Sequence, residues 1–255
     1  MTTTETGGLR GAARMEWRKL RTIRSTYWIL LVFAVGMVGA AVLNGGQDPL
    51  QPAPSYDPTQ DALSGIALGQ LAIGILGVLS LSSEFTTGSI RATFAAVPRR
   101  GRVLAAKTGV MAALTLAAGE MLAFAAFAAF QGAAPHGAPH VSLGQPGVLR
   151  AVLLAGVYPC LVGLIGIGLA ALIRYTAGAI AVLVGLVFVL PLALLPLGEH
   201  GTVEKFLPWM IALNSLTAVK PVAGSLPAVA GLGMLCLYAA VMLAAGGWTL
   251  ARRDA

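Results

Sequence analysis

Hydrophobic positions in this chain do not alternate with polar ones. They gather into six long unbroken stretches, at roughly 27–43, 62–81, 108–130, 151–173, 177–197 and 227–250. Each is close to the ~20 residues a helix needs to cross the hydrocarbon core of a bilayer. In lipid a helix satisfies its own backbone hydrogen bonds, so all six are expected to be helical whatever the strand propensity of their Val and Ile residues. The first is the shortest and leans on Tyr27 and Trp28 as interfacial anchors.

Between these stretches the period changes. Over 9–24, at about 100° per residue, Leu9, Ala13, Trp17, Leu20 and Ile23 share one arc, and Arg10, Arg14, Arg18 and Arg21 share the next. This predicts a basic amphipathic helix lying in the headgroup layer. Glu16 falls within the apolar arc; pairing with Lys19 or contact with a partner would account for it. In 82–107, Gly88 interrupts the helix leaving the membrane and Ser89 is placed to cap a new one. Ile90, Phe94 and Val97 follow at i, i+4 and i+7, and Pro98 ends the run. A two-turn amphipathic helix is expected there, either resting on headgroups or touching a partner, with Arg99, Arg100 and Arg102 marking the interface beyond it.

The remaining connections differ. Pro49, Pro52, Pro54 and Pro58 with Gly45 and Gly46 predict an irregular surface loop over 44–61. In 198–226, Phe206, Trp209, Met210, Leu213 and Leu216 fit one helical face, punctuated by Pro208, Pro221 and Pro227. One or two short helices lying on or dipping into the outer leaflet are expected. Residues 1–8 are small and polar and read as a disordered tail. Gly65, Gly69, Gly74 and Gly77 in the second span, and Gly156, Gly163, Gly166 and Gly168 in the fourth, allow close helix approach. Those two spans are expected inside the bundle or at a dimer seam.

Composition agrees with the pattern. Of 255 residues 57% are hydrophobic and 11% charged, and the mean hydropathy is +0.81. A single membrane domain over 1–255 is expected, with the six-span part at 27–250. With the N-terminus placed in the cytoplasm, all the basic residues except Arg150, Lys205 and Lys220 fall on inner segments. The positive-inside rule then puts both termini in the cytoplasm of a multi-pass plasma-membrane protein. The net charge of +7 reads as this topology and not as nucleic-acid binding, since no basic run is interleaved with stacking aromatics. The basic leader is too long for a cleaved signal peptide. Cys160 and Cys236 lie in spans without ligand spacing and read as small buried hydrophobes.

Candidate chemistry is sparse. Residues 101–108 superficially resemble a phosphate-binding loop, but the second glycine is Ala106 and no strand precedes it. His136 and His140 have helical metal spacing, yet Pro135, Gly137 and Pro139 forbid a regular helix, and His200 stands alone in an outer loop. No catalytic constellation lies in the spans, so no catalytic residue and no metal ligand is assigned. Glu120 is the one acid deep in a span, roughly 18 Å along the third from its start. It is read as a candidate pathway or proton residue, or as a hydrogen-bonded packing group.

Taken together, several segments resemble the permease subunits of type-2 ABC exporters, especially short single-domain ones of high-GC Gram-positive bacteria. They are Glu16-Trp-Arg-Lys-Leu leading into the first span, Glu84-Phe-Thr-Thr-Gly-Ser-Ile-Arg91 ending the second, Val97-Pro-Arg-Arg-Gly-Arg102 followed by Lys107, and Arg252-Arg-Asp254 closing the last. The resemblance covers essentially the whole chain. It implies an all-α integral membrane fold with six transmembrane helices. It also implies a connecting helix at 9–24 (Glu16, Trp17, Leu20) and a cytoplasmic coupling helix at about 89–97. Glu84, Gly88, Ile90, Arg91, Phe94, Pro98, Arg99 and Arg100 would serve coupling to the ATPase. Two permease chains, as homodimer or heterodimer, would form the pathway. Separate ABC ATPase subunits would bind ATP and Mg, leaving this chain without a cofactor or enzymatic activity. The alternatives are a proton-coupled secondary transporter using Glu120, and a non-transporting membrane scaffold or immunity protein.

Overall fold

The structure, a computed structural model, describes residues 8–47, 56–97, 99–136, 138, 140–194, 204–219 and 225–252. Among these every regular element is a helix. The chain runs α1 (Leu9–Thr22), α2 (Arg24–Gly45), α3 (Pro58–Leu63), α4 (Ile66–Thr86), α5 (Ile90–Ala96), α6 (Arg100–Ala133) and α7 (Val148–Ile173). Then follow α8 (Thr176–Val184), a π-helical turn (Gly185–Val189), α9 (Leu190–Leu194), α10 (Pro208–Leu216) and α11 (Ala228–Arg252). Among the described residues six helical segments are long and apolar enough to cross a membrane: Arg24–Gly45, Pro58–Thr86, Arg100–Ala133, Val148–Ile173, Thr176–Leu194 and Ala228–Arg252.

The fourth span is the axis of the bundle. α7 packs against α4, α6 and α11 and is the most enclosed of the spans, with α4 next. The glycine stripes explain why. A Cβ on Gly77 would collide with the Gly163 carbonyl, and one on Gly119 would come within 2.5 Å of the Gly156 carbonyl. Without a hydrophobic driving force between helices in lipid, such close backbone approach supplies the contact energy. α2, α8–α9 and α11 are enclosed least. α2 turns Tyr27, Trp28, Leu31, Val32 and Val35 outward.

The ends of the bundle can be told apart. α1, α5, the N-terminal ends of α6 and α8, and the C-terminal ends of α4, α7 and α11 gather at one rim. Bonds from Lys107 to Glu84, Thr176 to Ser82, Arg100 to the Leu250 carbonyl and Arg174 to the Thr249 carbonyl hold them there. This rim carries the clusters of Arg and Lys. At the opposite rim, Asn44 bonds the Asp61 carbonyl and Ser64 Oγ, and Arg150 bonds the Thr217 carbonyl.

Several expectations need correction. The region 44–61 is not irregular throughout. Asp57 caps α3, its Oδ1 accepting from the N–H groups of Thr59 and Gln60, and Pro58 sits in the first turn, where its missing N–H costs nothing. The third span does not begin after the arginines: α6 is continuous from Arg100 for 34 residues, so Arg100, Arg102 and Lys107 lie inside it. At ~1.5 Å per residue it outruns the hydrocarbon core. Ser89 stands at the N-cap of α5 without capping it; its hydroxyl meets Thr87 Oγ1 instead. The buried face of α10 is Pro208, Ile211, Ala212, Asn214, Ser215 and Leu216, while Phe206 is exposed. Asn214 turns inward because its amide donates to the Leu226 carbonyl.

α10 does dip into the bundle. The Pro208 carbonyl accepts from Tyr158, which lies ten residues into α7, about 15 Å from the rim. The Phe206 carbonyl accepts from Tyr238, equally deep in α11. These hydroxyls cover backbone groups that the bilayer could not satisfy.

Candidate functional site

At the basic rim four charged side chains from three helices meet. Lys107 is seven residues into α6, Glu84 is in the last turn of α4, and Glu16 is on α1; each is only 2% exposed. The Lys107 ammonium uses its three protons on Glu16 Oε2 (2.5 Å), Glu84 Oε1 (2.6 Å) and the Ser80 carbonyl (2.9 Å). Lys19, also on α1, donates to Glu84 Oε1 at 2.8 Å and stays partly exposed. Glu84 Oε2 accepts from Thr93 Oγ1 of α5 at 3.3 Å. One carboxylate thus ties α4 to α1, α5 and α6. Two Glu and two Lys leave the cluster neutral in formal charge, the condition for keeping ions away from water.

The pairing differs from the sequence reading. Glu16 does not pair with Lys19; its partner is Lys107, and Lys19 goes to Glu84. Nor does Glu16 spoil the lipid-facing arc of α1. That helix turns Ala12, Glu16 and Leu20 into the protein, while Leu9, Trp17 and Ile23 are exposed. The predicted apolar arc is therefore divided: Leu20 is buried beside Glu16 on the docking side, while Leu9 and Trp17 stay exposed.

The other predicted residues fall around this cluster. Gly88 has φ +70°, the left-handed region that favours glycine, and makes the turn from α4 to α5. Ile90 and Val97 are buried and Phe94 is half-buried, as their spacing predicts. Arg91 and Arg99 are exposed. The Arg100 guanidinium stacks 5.3 Å from the Phe94 ring centroid and also donates to the Leu250 carbonyl. Pro98 lies outside the described residues, as does His200. His136 is exposed, and His140 Nδ1 is 3.5 Å from Gln131 Oε1. Cys160 is buried against the Ala112 carbonyl, and Cys236 is exposed.

Glu120 is apart from the cluster. It sits twenty residues into α6 at the crossing with α7, with its carboxyl against Gly156. Its Oε2 is buried and has no hydrogen-bond partner.

Lys107 is the member whose role sequence reasoning missed. The signal was present: Lys107, the cation deepest into the third span, and Glu84, an acid ending the second, are complementary charges at the same end of two neighbouring spans. Asp57 was missed as well. Besides capping α3, its Oδ2 accepts from the N–H groups of Ala218 (2.6 Å) and Val219 (2.9 Å), clasping the end of α10 to α3. Nothing in the spacing of Asp57 and Val219 announces that contact. No protein-family model matches this chain, and no curated protein matches it.

Proposed function

We propose that this chain is the permease subunit of an ATP-driven exporter of the type-2 ABC class. It would work as a dimer in the plasma membrane with both termini cytoplasmic, and separate ATPase subunits would bind ATP and Mg. The observation that carries the reading is the attachment of α5. A short amphipathic helix projects at the basic rim between two spans, joined to α4 through Thr93–Glu84 and to α6 through Phe94–Arg100. The interfacial helix α1 is bonded to the same two spans. A push on α5 from a cytoplasmic ATPase would therefore reach α1, α4 and α6 together, which is what a lever between ATP closure and pathway opening requires.

The test is co-purification with a soluble P-loop ATPase encoded beside this chain, and ATP-dependent transport in vesicles. Phe94→Asp and Arg91→Glu should abolish stimulation of that ATPase by the membrane subunit while leaving insertion intact. Normal stimulation in both would overturn the role given to α5. A second reading, proton-coupled transport, is favoured by the unbonded buried oxygen of Glu120. It requires transport that survives without ATP, collapses with the proton gradient and is lost in Glu120→Gln.

A further inference from the structure

Two cavities follow one another along the seam between α2 and α4. At the basic rim a cavity of about 140 Å³ is lined by Glu16, Lys19, Ser25, Thr26, Ser80 and Ser83, with Leu20, Ile23, Leu76 and Leu79 as its apolar walls. About one turn deeper on the same two helices lies a groove of about 200 Å³ lined only by Trp28, Ile29, Val32, Ala72 and Ile75. The sequence of surfaces, ionic then hydroxyl then wholly apolar, is that of a lipid read from headgroup to tail.

The ionic end is incompletely paired. Glu16 is 2% exposed, and its Oε2 is taken by Lys107, but its Oε1 has no hydrogen-bond partner. A carboxylate oxygen in that state lacks a donor worth a charge-assisted hydrogen bond. Beside it are features of the opposite preference. Lys19 keeps 31% of its side chain exposed. α2 starts at Arg24 from an extended Ile23 with no side-chain cap; the Thr26 N–H bonds the Ile23 carbonyl, which leaves the Arg24 and Ser25 N–H groups at the helix start for an anion. Tyr27 Oη donates to the Arg21 carbonyl and holds the elbow between α1 and α2 that brings these groups together.

We propose that this seam binds one phospholipid whose headgroup carries both a phosphate and a primary ammonium, the ethanolamine type. Its ammonium enters beside Glu16 and takes Oε1 as acceptor once the carboxylate turns toward the cavity, since that oxygen is buried as it stands. Its phosphate lies between Lys19 and the N-terminus of α2, and an acyl chain fills the groove between Trp28 and Ala72. The bound lipid adds no net charge to a neutral cluster. It makes the cluster sensitive to the leaflet it faces. This goes beyond the permease reading and does not depend on it.

The experiment is native mass spectrometry of the full chain, delipidated in mild detergent and titrated with phosphatidylethanolamine, phosphatidylcholine and phosphatidylglycerol of identical acyl chains. The ethanolamine lipid should be retained about tenfold better than the other two, because a trimethylated ammonium donates no hydrogen bond and a glycerol headgroup has no cation. Glu16→Gln should abolish that preference. Val32→Trp, at an exposed position, should fill the groove and reduce retention of all three while leaving the ion pairs in place. Failure to retain any phospholipid, equal retention of the three headgroups, an undiminished preference in Glu16→Gln, or undiminished retention in Val32→Trp would each overturn the proposal.

Discussion

At the basic rim, helices far apart in sequence are joined by charged side chains to one another: Glu16 to Lys107, Lys107 to Glu84, Glu84 to Lys19. At the opposite rim the ties are mostly from side chain to backbone, with Asn44 also reaching Ser64 Oγ: Asp57 to the N–H groups of Ala218 and Val219, Arg150 to the Thr217 carbonyl, Asn44 to the Asp61 carbonyl. The two solutions behave differently when disturbed. A backbone partner is always present, so the far rim has one geometry and each tie can be removed by itself. A charge can exchange one counter-ion for another, so the basic rim can rearrange, but removing one member strands the rest without water to receive them. A rim that has to move is better built the first way described, and a rim that has to stay closed the second.

The comparison breaks most visibly at Lys107. Lys107→Met leaves Glu16 and Glu84 with only Lys19 between them, and equilibrium unfolding in detergent should show a loss of about 3–5 kcal/mol, the cost of breaking a buried ion pair from one side. Adding Glu16→Gln restores neutrality and should recover part of that loss, giving a coupling energy of about 1–3 kcal/mol in the double-mutant cycle. Strict additivity of the two changes would mean that the cluster does not act as a unit.

Asp57→Ala is the matched change at the other rim. It removes the α3 cap and leaves the Ala218 and Val219 N–H groups without their acceptor. The expected loss is about 2 kcal/mol. Amide exchange should rise in α3 and at Ala218–Val219 but not in α1. Combined with Lys107→Met the effects should add, since the two sites share no partner. Coupling between them would show that the rims communicate through the bundle and are not independent.

How much of this could be read from the sequence differs between the rims for the same reason. The six spans, the glycine-lined α4 and α7 at the centre, α1 and the Ile90–Val97 face of α5 all follow from local periodicity, which lipid enforces strongly. Glu16 stood out as an acid within the apolar arc of its helix, and Glu84 entered only through the resemblance of the segment that ends the second span. Their shared partner did not stand out, because Lys107 looked like one more interfacial cation until α6 proved to start at Arg100. The Asp57 clasp was illegible: a capping aspartate has a local signature, but an acceptor for backbone N–H groups 161 and 162 residues away has none. The apolar arc of α1 was legible but its cover was not: Leu20 and Glu16 are buried against the bundle while Leu9 and Trp17 are exposed, because hydrophobic periodicity finds the apolar side of a helix without saying whether lipid or protein covers it.

The smallest effect should come from Thr93→Val, and it asks whether α5 belongs to the cluster or only lies near it. The substitution keeps the shape of a buried side chain and deletes its hydroxyl bonds to Glu84 Oε2 and to the Ser89 carbonyl, both 3.3 Å long. Glu84 keeps both lysines on Oε1, so its charge stays compensated, but Oε2 loses the Thr93 hydroxyl, and global stability should fall by about 1 kcal/mol. The informative readout is local. If Thr93–Glu84 is what holds α5 to α4, amide exchange over Ile90–Ala96 should rise about fivefold, as a loss near 1 kcal/mol implies, while α1, α4 and the far rim stay unchanged. Unaltered exchange in α5 would leave Phe94 stacked on Arg100 as its attachment, and would move the lever from the acid at the end of α4 to the arginine at the start of α6.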